Sequence, residues 1–270
     1  MTRVLGVHGV RNYKAVDTTP ALGAKRLRTD WLEALGAIVP ALDLDTAYYA
    51  DLLRSQRQGE GEVDDLDEAE TALVEQWALA WGVAPDGVQG RATGWLRWIC
   101  GEVARRSGEN PAVVEKTVKL FFPEVTRYFN GGREVVLDRV RAALLRHRPD
   151  VVIAHSLGSV VAYEALHGLG DELDVPLLLT LGSPLALPHA VFQRLDPAPV
   201  NGFGAKPDNV RRWVDVADVG DFVAVPKGEL ARVFLEVEQL ADISVARWWP
   251  HSVLDYLRHP SVSGVVLTAR

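Results

Sequence analysis

The sequence predicts an α/β protein: a mostly parallel, doubly wound sheet flanked by helices, forming a single domain over residues 1–270 with a helical insertion at about 56–130. Three observations carry this. Short β-branched or leucine-rich runs recur along the chain, each closed by a turn signal. Helical patterns follow them, which is the strand–helix–strand rhythm of parallel sheets. Between about Gln56 and Asn130 that rhythm breaks and the pattern stays helical.

The first apolar run, residues 4–7, is a predicted strand. Residues 21–38 follow as an amphipathic helix, with Leu22, Leu27, Trp31, Leu32 and Leu35 at near-helical spacing. A second strand is expected at 46–50. The insertion opens on an acidic segment (Glu60, Glu62, Asp64, Asp65, Asp67, Glu68, Glu70), which reads as a solvated loop without chemistry. Beyond it Trp77 and Trp81 lie one helical turn apart, as do Trp95 and Trp98. Two compatible readings apply to these four. Aromatic pairs at this spacing pack an insertion onto the body, or they form the apolar underside of a lid, a substrate-binding pocket for an acyl or aromatic group. Residues 133–147 repeat the amphipathic pattern, and strands at 151–155, 176–181 and 210–216 complete the sheet.

Composition narrows the function classes. The 270 residues are 48% hydrophobic and 24% charged, with 29 Lys and Arg against 36 Asp and Glu, a net charge of −7. Disorder and fibrous repeats are excluded. The basic residues are scattered among carboxylates and make no phosphate-tracking stripe, so no nucleic-acid partner is expected. One cysteine, Cys100, and the lack of any paired Cys/His spacing predict no internal disulfide and no zinc site, and no cofactor is expected. None of the apolar stretches approaches the roughly 18 residues of a membrane span, so stable membrane insertion is not expected. The N-terminus shows no secretory signal pattern, and the expected location is cytoplasmic. Oligomeric state leaves no mark in the sequence.

Residues 150–166, Asp-Val-Val-Ile-Ala-His-Ser-Leu-Gly-Ser-Val-Val-Ala-Tyr-Glu-Ala-Leu, read as a strand, a tight turn on Ser156, then a helix. A nucleophile elbow needs this arrangement. The turn strains the serine backbone, exposes its Oγ and leaves the N–H of the next residue free at a helix N-terminus. Gly158 supplies one small neighbour, while Ala154 stands where G-x-S-x-G has its first glycine. A serine at its free pKa is a poor nucleophile, so a histidine base and an orienting carboxylate are required, in chain order serine, acid, histidine.

Asp221 is the candidate acid, in the loop 217–226 after a strand, where such sheets place their reactive groups. Asp218 is its rival, and Asp215, inside the strand, reads as structural. His251, between a loop and a short helix, is the candidate base. His8, His147, His155, His167 and His189 precede the acid, and His259 abuts Pro260, so these read as structural or solvent-exposed. His155 adjoins Ser156, but neighbours in a strand point to opposite sides. The N–H groups of Leu157 and Val10 are candidate oxyanion donors, Gly9 allowing close approach; the alternative for residues 7–10 is a plain strand-end turn. Ser183 reads as framework, since Pro184 after it has no N–H to offer an oxyanion.

Five segments, V-L-G-V-H-G-V at 4–10, V-V-I-A-H-S-L-G-S at 151–159, L-G-S-P-L at 181–185, D-F-V-A-V-P at 221–226 and H-S-V-L-D-Y-L at 251–257, span nearly the whole chain. Together they resemble the α/β-hydrolase superfamily, specifically its lipase- and esterase-like members with a helical lid insertion. In that pattern an aspartate followed by an apolar pair and a proline falls on Asp221, and a histidine opening a short helix falls on His251. The resemblance implies a Ser156–His251–Asp221 triad and metal-free hydrolysis. The chain departs from the pattern at Ala154 and lacks an HGGG-type oxyanion loop. The expected activity is cleavage of carboxylic esters of apolar acyl or aromatic compounds, with a small apolar ester as the binding partner. Alternatives are a thioesterase, an amidase or peptidase, or an acyltransferase on the same triad, and a non-catalytic module of this fold that binds a small ligand.

Overall fold

The structure, a computed structural model, describes residues 1–36, 39, 41–54, 66–84, 94–245 and 251–268. Strand β1 (Thr2–Val7) leads through helix α1 (Pro20–Gly36) to β2 (Leu42–Ala47). Helices α2 (Glu68–Ala80), α3 (Trp95–Ser107) and α4 (Pro111–Arg127) lie in the insertion, and α5 (Arg133–His147) leads into β3 (Val151–His155). Helix α6 (Leu157–Leu169) joins β3 to β4 (Val175–Leu181), and β5 (Val210–Asp218) follows a long loop. The single turn α7 (Leu230–Val233), β6 (Val237–Ile243), α8 (Val253–Arg258) and α9 (Pro260–Leu267) come last.

All six strands are parallel and pair in the order β2-β1-β3-β4-β5-β6. Strands β3 and β4 are buried on both faces, which is why they read as nearly continuous apolar runs, while β5 carries Arg211, Arg212 and Asp215 among its apolar residues. In β3, Val152 and Ala154 join the core shared with α5, α6 and the insertion, while Val151 and Ile153 join the core shared with α1, α8 and α9. Helices on both faces make the sheet doubly wound.

The two edge strands depart from expectation for one physical reason. An edge strand is only partly covered, so its sequence alternates or turns polar instead of running apolar. Strand β2 is Leu-Asp-Leu-Asp-Thr-Ala at 42–47, earlier than the 46–50 expected; Tyr48, Tyr49 and Ala50 attracted the assignment but are buried just beyond the strand end. Strand β6, Val-Glu-Gln-Leu-Ala-Asp-Ile, escaped the sequence reading altogether. The acidic segment also needs correction. Asp67 is the N-cap of α2 and forms a capping box with Glu70, so the end of the segment starts a helix. Glu60, Glu62, Asp64 and Asp65 lie outside the described residues.

Strand order reverses between β1 and β3. Crossovers leave β1 toward β2 on one side and return to β3 on the other, which opens a crevice beyond the carboxyl ends of these two strands. Residues 8–10 follow the end of β1 and Ser156 follows the end of β3, so both candidate segments sit at that switch point. The insertion is tied down at its exit by Glu164 of α6, a buried carboxylate that accepts hydrogen bonds from the Tyr128 hydroxyl and the Asp196 N–H and pairs with Arg133 at 3.3 Å. None of the described helices is long and apolar enough to cross a membrane.

Candidate active site

Ser156 has φ 55° and ψ −131°, a left-handed conformation that costs a non-glycine residue energy and persists only where surroundings enforce it. The enforcing contacts are explicit. Its N–H donates to the Leu181 carbonyl at 3.0 Å, and its own carbonyl accepts from the Ser159 N–H at 2.9 Å and the Ser159 hydroxyl at 2.6 Å. The Ser183 hydroxyl lies 2.8 Å from the Ser159 hydroxyl and accepts from the Leu185 N–H, which makes it a brace for the turn.

The α6 N-terminus runs hard against the end of β1. A Cβ on Gly158 would lie 2.4 Å from the carbonyl oxygens of both Val7 and His8, and one on Gly9 would lie 2.5 Å from Ser156 Cβ. Only glycine permits this approach. It brings residues 7–10 beside the turn, and neither the Leu157 nor the Val10 N–H donates to another described residue. Three side chains hold that loop, the first being Tyr49, whose hydroxyl donates to the His8 carbonyl. His8 Nδ1 is 2.7 Å from the Gly9 carbonyl, its Nε2 accepts from the Tyr49 N–H at 3.1 Å, and its ring stacks on Tyr49. Asn12 Nδ2 donates to the carbonyls of Gly9 and Val10. Burial lowers the His8 pKa to about 4, so this ring is neutral at pH 7, with Nδ1 the donor.

His251 Nε2 lies 2.8 Å from Ser156 Oγ, and its Nδ1 lies 2.8 Å from Asp221 Oδ2. With the carboxylate ionised, Nδ1–H donates to Asp221 and Nε2 accepts the serine proton. Ser156 and Asp221 are fully buried and His251 nearly so. Chemically the arrangement can take a proton from a hydroxyl and hold the resulting imidazolium against a fixed anion.

The chain matches no protein-family model, no curated protein and no solved structure.

The loop after β5 separates the two rival aspartates. Asp221 Oδ1 accepts from the N–H groups of Val223 at 2.9 Å and Ala224 at 3.3 Å, and Oδ2 accepts from His251 and the Tyr256 hydroxyl at 2.8 Å. Burial alone would raise the Asp221 pKa, but His251 and these donors outweigh it and hold the carboxyl below its ordinary value. Asp218 instead accepts from the Gly220 and Val245 N–H groups, and its own N–H donates to the Tyr256 hydroxyl. It shapes the loop. Tyr256 therefore links both aspartates, a role sequence reasoning missed although the residue follows His251 by five positions. Gly182 was missed too: its φ of +55° and a virtual Cβ 2.6 Å from Asp221 Oδ2 leave room there for no side chain.

His155 is buried, in keeping with the structural reading, but it packs closer to the candidate base than the sequence suggested. It ends β3, and its ring lies 4.7 Å from the His251 ring, with Nε2 buried and unpartnered among the described residues. Burial, aided by His251, pushes its pKa well down, so a neutral ring packs against the candidate base. Asp215, read as structural, accepts from the Thr180 hydroxyl at 2.7 Å and from Gln239 at 3.3 Å. Burial raises its pKa; Thr180 opposes the rise and the nearby Asp221 charge adds to it, with a net value of about 7. A pKa raised on folding stabilises fully below the unfolded value and loses that contribution as pH rises through the folded one. Asp215→Asn should therefore gain stability relative to the wild type between about pH 4 and pH 8, read by urea denaturation. A difference constant across that range would contradict a neutral Asp215 in the fold.

The tryptophans divide. Trp77 is buried, and its indole N–H donates to the Phe222 carbonyl at 2.7 Å; the Trp81 N–H reaches the same oxygen at 3.2 Å. Trp95 is half-buried against the core, while Trp98 is 39% exposed. Among the described residues no group of three or more His, Cys, Asp or Glu could hold a metal ion.

Proposed function

We propose that this chain is a serine hydrolase that cleaves carboxylic esters of apolar acyl or aromatic compounds. The observation that carries the reading is the continuous Asp221–His251–Ser156 hydrogen-bond relay ending on a strained serine at the sheet's switch point. In this reading Ser156 Oγ attacks the ester carbonyl as His251 Nε2 takes its proton. The N–H groups of Leu157 and Val10 stabilise the oxyanion, and the imidazolium, steadied by Asp221, protonates the departing alkoxide. Water then repeats the sequence on the acyl-enzyme, releasing the acid and restoring Ser156. The ester class follows from the resemblance to lipase- and esterase-like hydrolases; beside the acid loop Trp77, Val118, Phe121 and Phe122 pack closed against Phe222 and Val223 and serve as framework.

The test is direct. A fluorophosphonate probe should label Ser156, and p-nitrophenyl acyl esters should turn over, with both lost in Ser156→Ala. A well-folded wild type that neither labels nor turns over any of the ester series would replace this reading with that of a binding module.

A further inference from the structure

We infer that Trp77 and Trp81 are positioning residues for Asp221: by gripping the Phe222 carbonyl together, the insertion presents the carboxylate to His251. The inference rests on the triad reading above, and the geometry is specific. Phe222 follows Asp221 directly. Its carbonyl belongs to the same peptide group as the Val223 N–H, and that N–H donates to Asp221 Oδ1. One planar peptide is therefore held at its oxygen by two indoles of α2 and its end, and holds the carboxylate through its nitrogen. Donors on a carbonyl polarise the N–H across the amide, so each bond strengthens the other.

Burial makes the grip matter. Phe222 and Val223 are buried, so water does not replace a lost donor, and a carbonyl stripped of both indoles becomes an unsatisfied acceptor. The rings of Phe222 and Trp77 also share an apolar seam with α4. On the solvent side Lys227 Nζ sits 5.6 Å from the Trp81 ring, which steadies the outer indole. Tyr256 secures the opposite side of the carboxylate, from α8. The acid is thus pinned between two distant parts of the chain, one of them the insertion. This differs from a substrate-binding role for the two tryptophans, which would act on KM.

Phenylalanine keeps the ring and removes the N–H. Trp77→Phe and Trp81→Phe should each lower kcat by about 2–5-fold, because the other indole still holds the oxygen. The double variant should lose about 100-fold, more than the product of the singles, with KM for acetyl and long-chain p-nitrophenyl esters unchanged. In an Asp221→Asn background the same double change should cost almost nothing, since the group it positions is gone. Equal losses in both backgrounds, or a rise in KM confined to long acyl chains, would overturn the inference.

A readout that needs no turnover separates this inference from the hydrolase reading. In proton NMR of the full-length wild type, the His251 Nδ1–H donating to Asp221 at 2.8 Å should give a far-downfield resonance, to be assigned by its loss in His251→Gln. That resonance should vanish or move upfield in the double variant and shift slightly in Trp81→Phe, the more exposed and milder change. An unmoved resonance in a folded double variant would refute the clamp whether or not the protein hydrolyses esters. A wild type that shows the resonance but neither labels nor turns over would fail the hydrolase reading alone.

Discussion

Asp221→Asn is expected to lower ester turnover by about 10⁴-fold with the fold intact, while Asp218→Asn stays within a few-fold of wild type. The asymmetry follows from the hydrogen bonds. Asp221 Oδ2 is 2.8 Å from His251 Nδ1, and an amide there either turns its NH₂ toward the imidazole or leaves a neutral oxygen facing it. In the first case the ring adopts the wrong tautomer, with Nε2 protonated and unable to take the Ser156 proton. In the second the developing imidazolium loses its counter-charge. Among the described residues the Asp218 carboxylate accepts from backbone N–H groups only, and its replacement removes one acceptor from the loop, a stability cost of about 1 kcal/mol. Steady-state kinetics on both variants, with thermal melts to verify folding, decides the matter; a greater loss in Asp218→Asn would reassign the acid.

Gly158→Ala is the second large effect. The added methyl would sit 2.4 Å from two backbone oxygens, Val7 and His8, neither of which can rotate away as a flexible side-chain end would. Relief requires α6 to move off the end of β1, a strain of about 3 kcal/mol or more. That movement shifts Ser156 relative to His251 and separates the Leu157 N–H from residues 7–10. We expect a lower urea midpoint and turnover approaching that of Ser156→Ala. Gly264→Ala in α9 is the control: a Cβ there meets nothing within 4 Å, and alanine in a helix gains roughly 0.5–1 kcal/mol over glycine. Identical behaviour of the two variants would mean that the elbow tolerates a methyl, contrary to the close approach described.

The legible parts of this protein are those encoded by consecutive residues. The strand–turn–helix at 151–169 is complete within one segment: an apolar run, a serine, a small residue two positions on, then a helical pattern. Strands β3 and β4 were legible because burial on both faces demands nearly unbroken apolar runs, and β5 was legible through Trp213, Val214, Val216 and Ala217 despite Arg211, Arg212 and Asp215. Strands β2 and β6 were not, because an edge position relaxes that demand and their charged residues imitate loops.

Sequence by itself determined the α/β class, the parallel sheet and the turn on Ser156, and the order of the chain pointed to Asp221 and His251 as partners to be tested. Tertiary structure alone decided what meets what. His251 and Ser156 are 95 residues apart, and Trp77 reaches Phe222 across 145. Asp218, the last residue of β5, and Asp221 lie three residues apart, and only the path of the chain around them turns Asp221 toward the imidazole and Asp218 toward backbone N–H groups. Periodicity also sees an indole only as apolar bulk, whereas the fold gives its N–H a direction and an acceptor. Local pattern reports burial and conformation, both one-body properties; hydrogen-bond partnership is pairwise, and for distant segments it exists only after the sheet has set their separation.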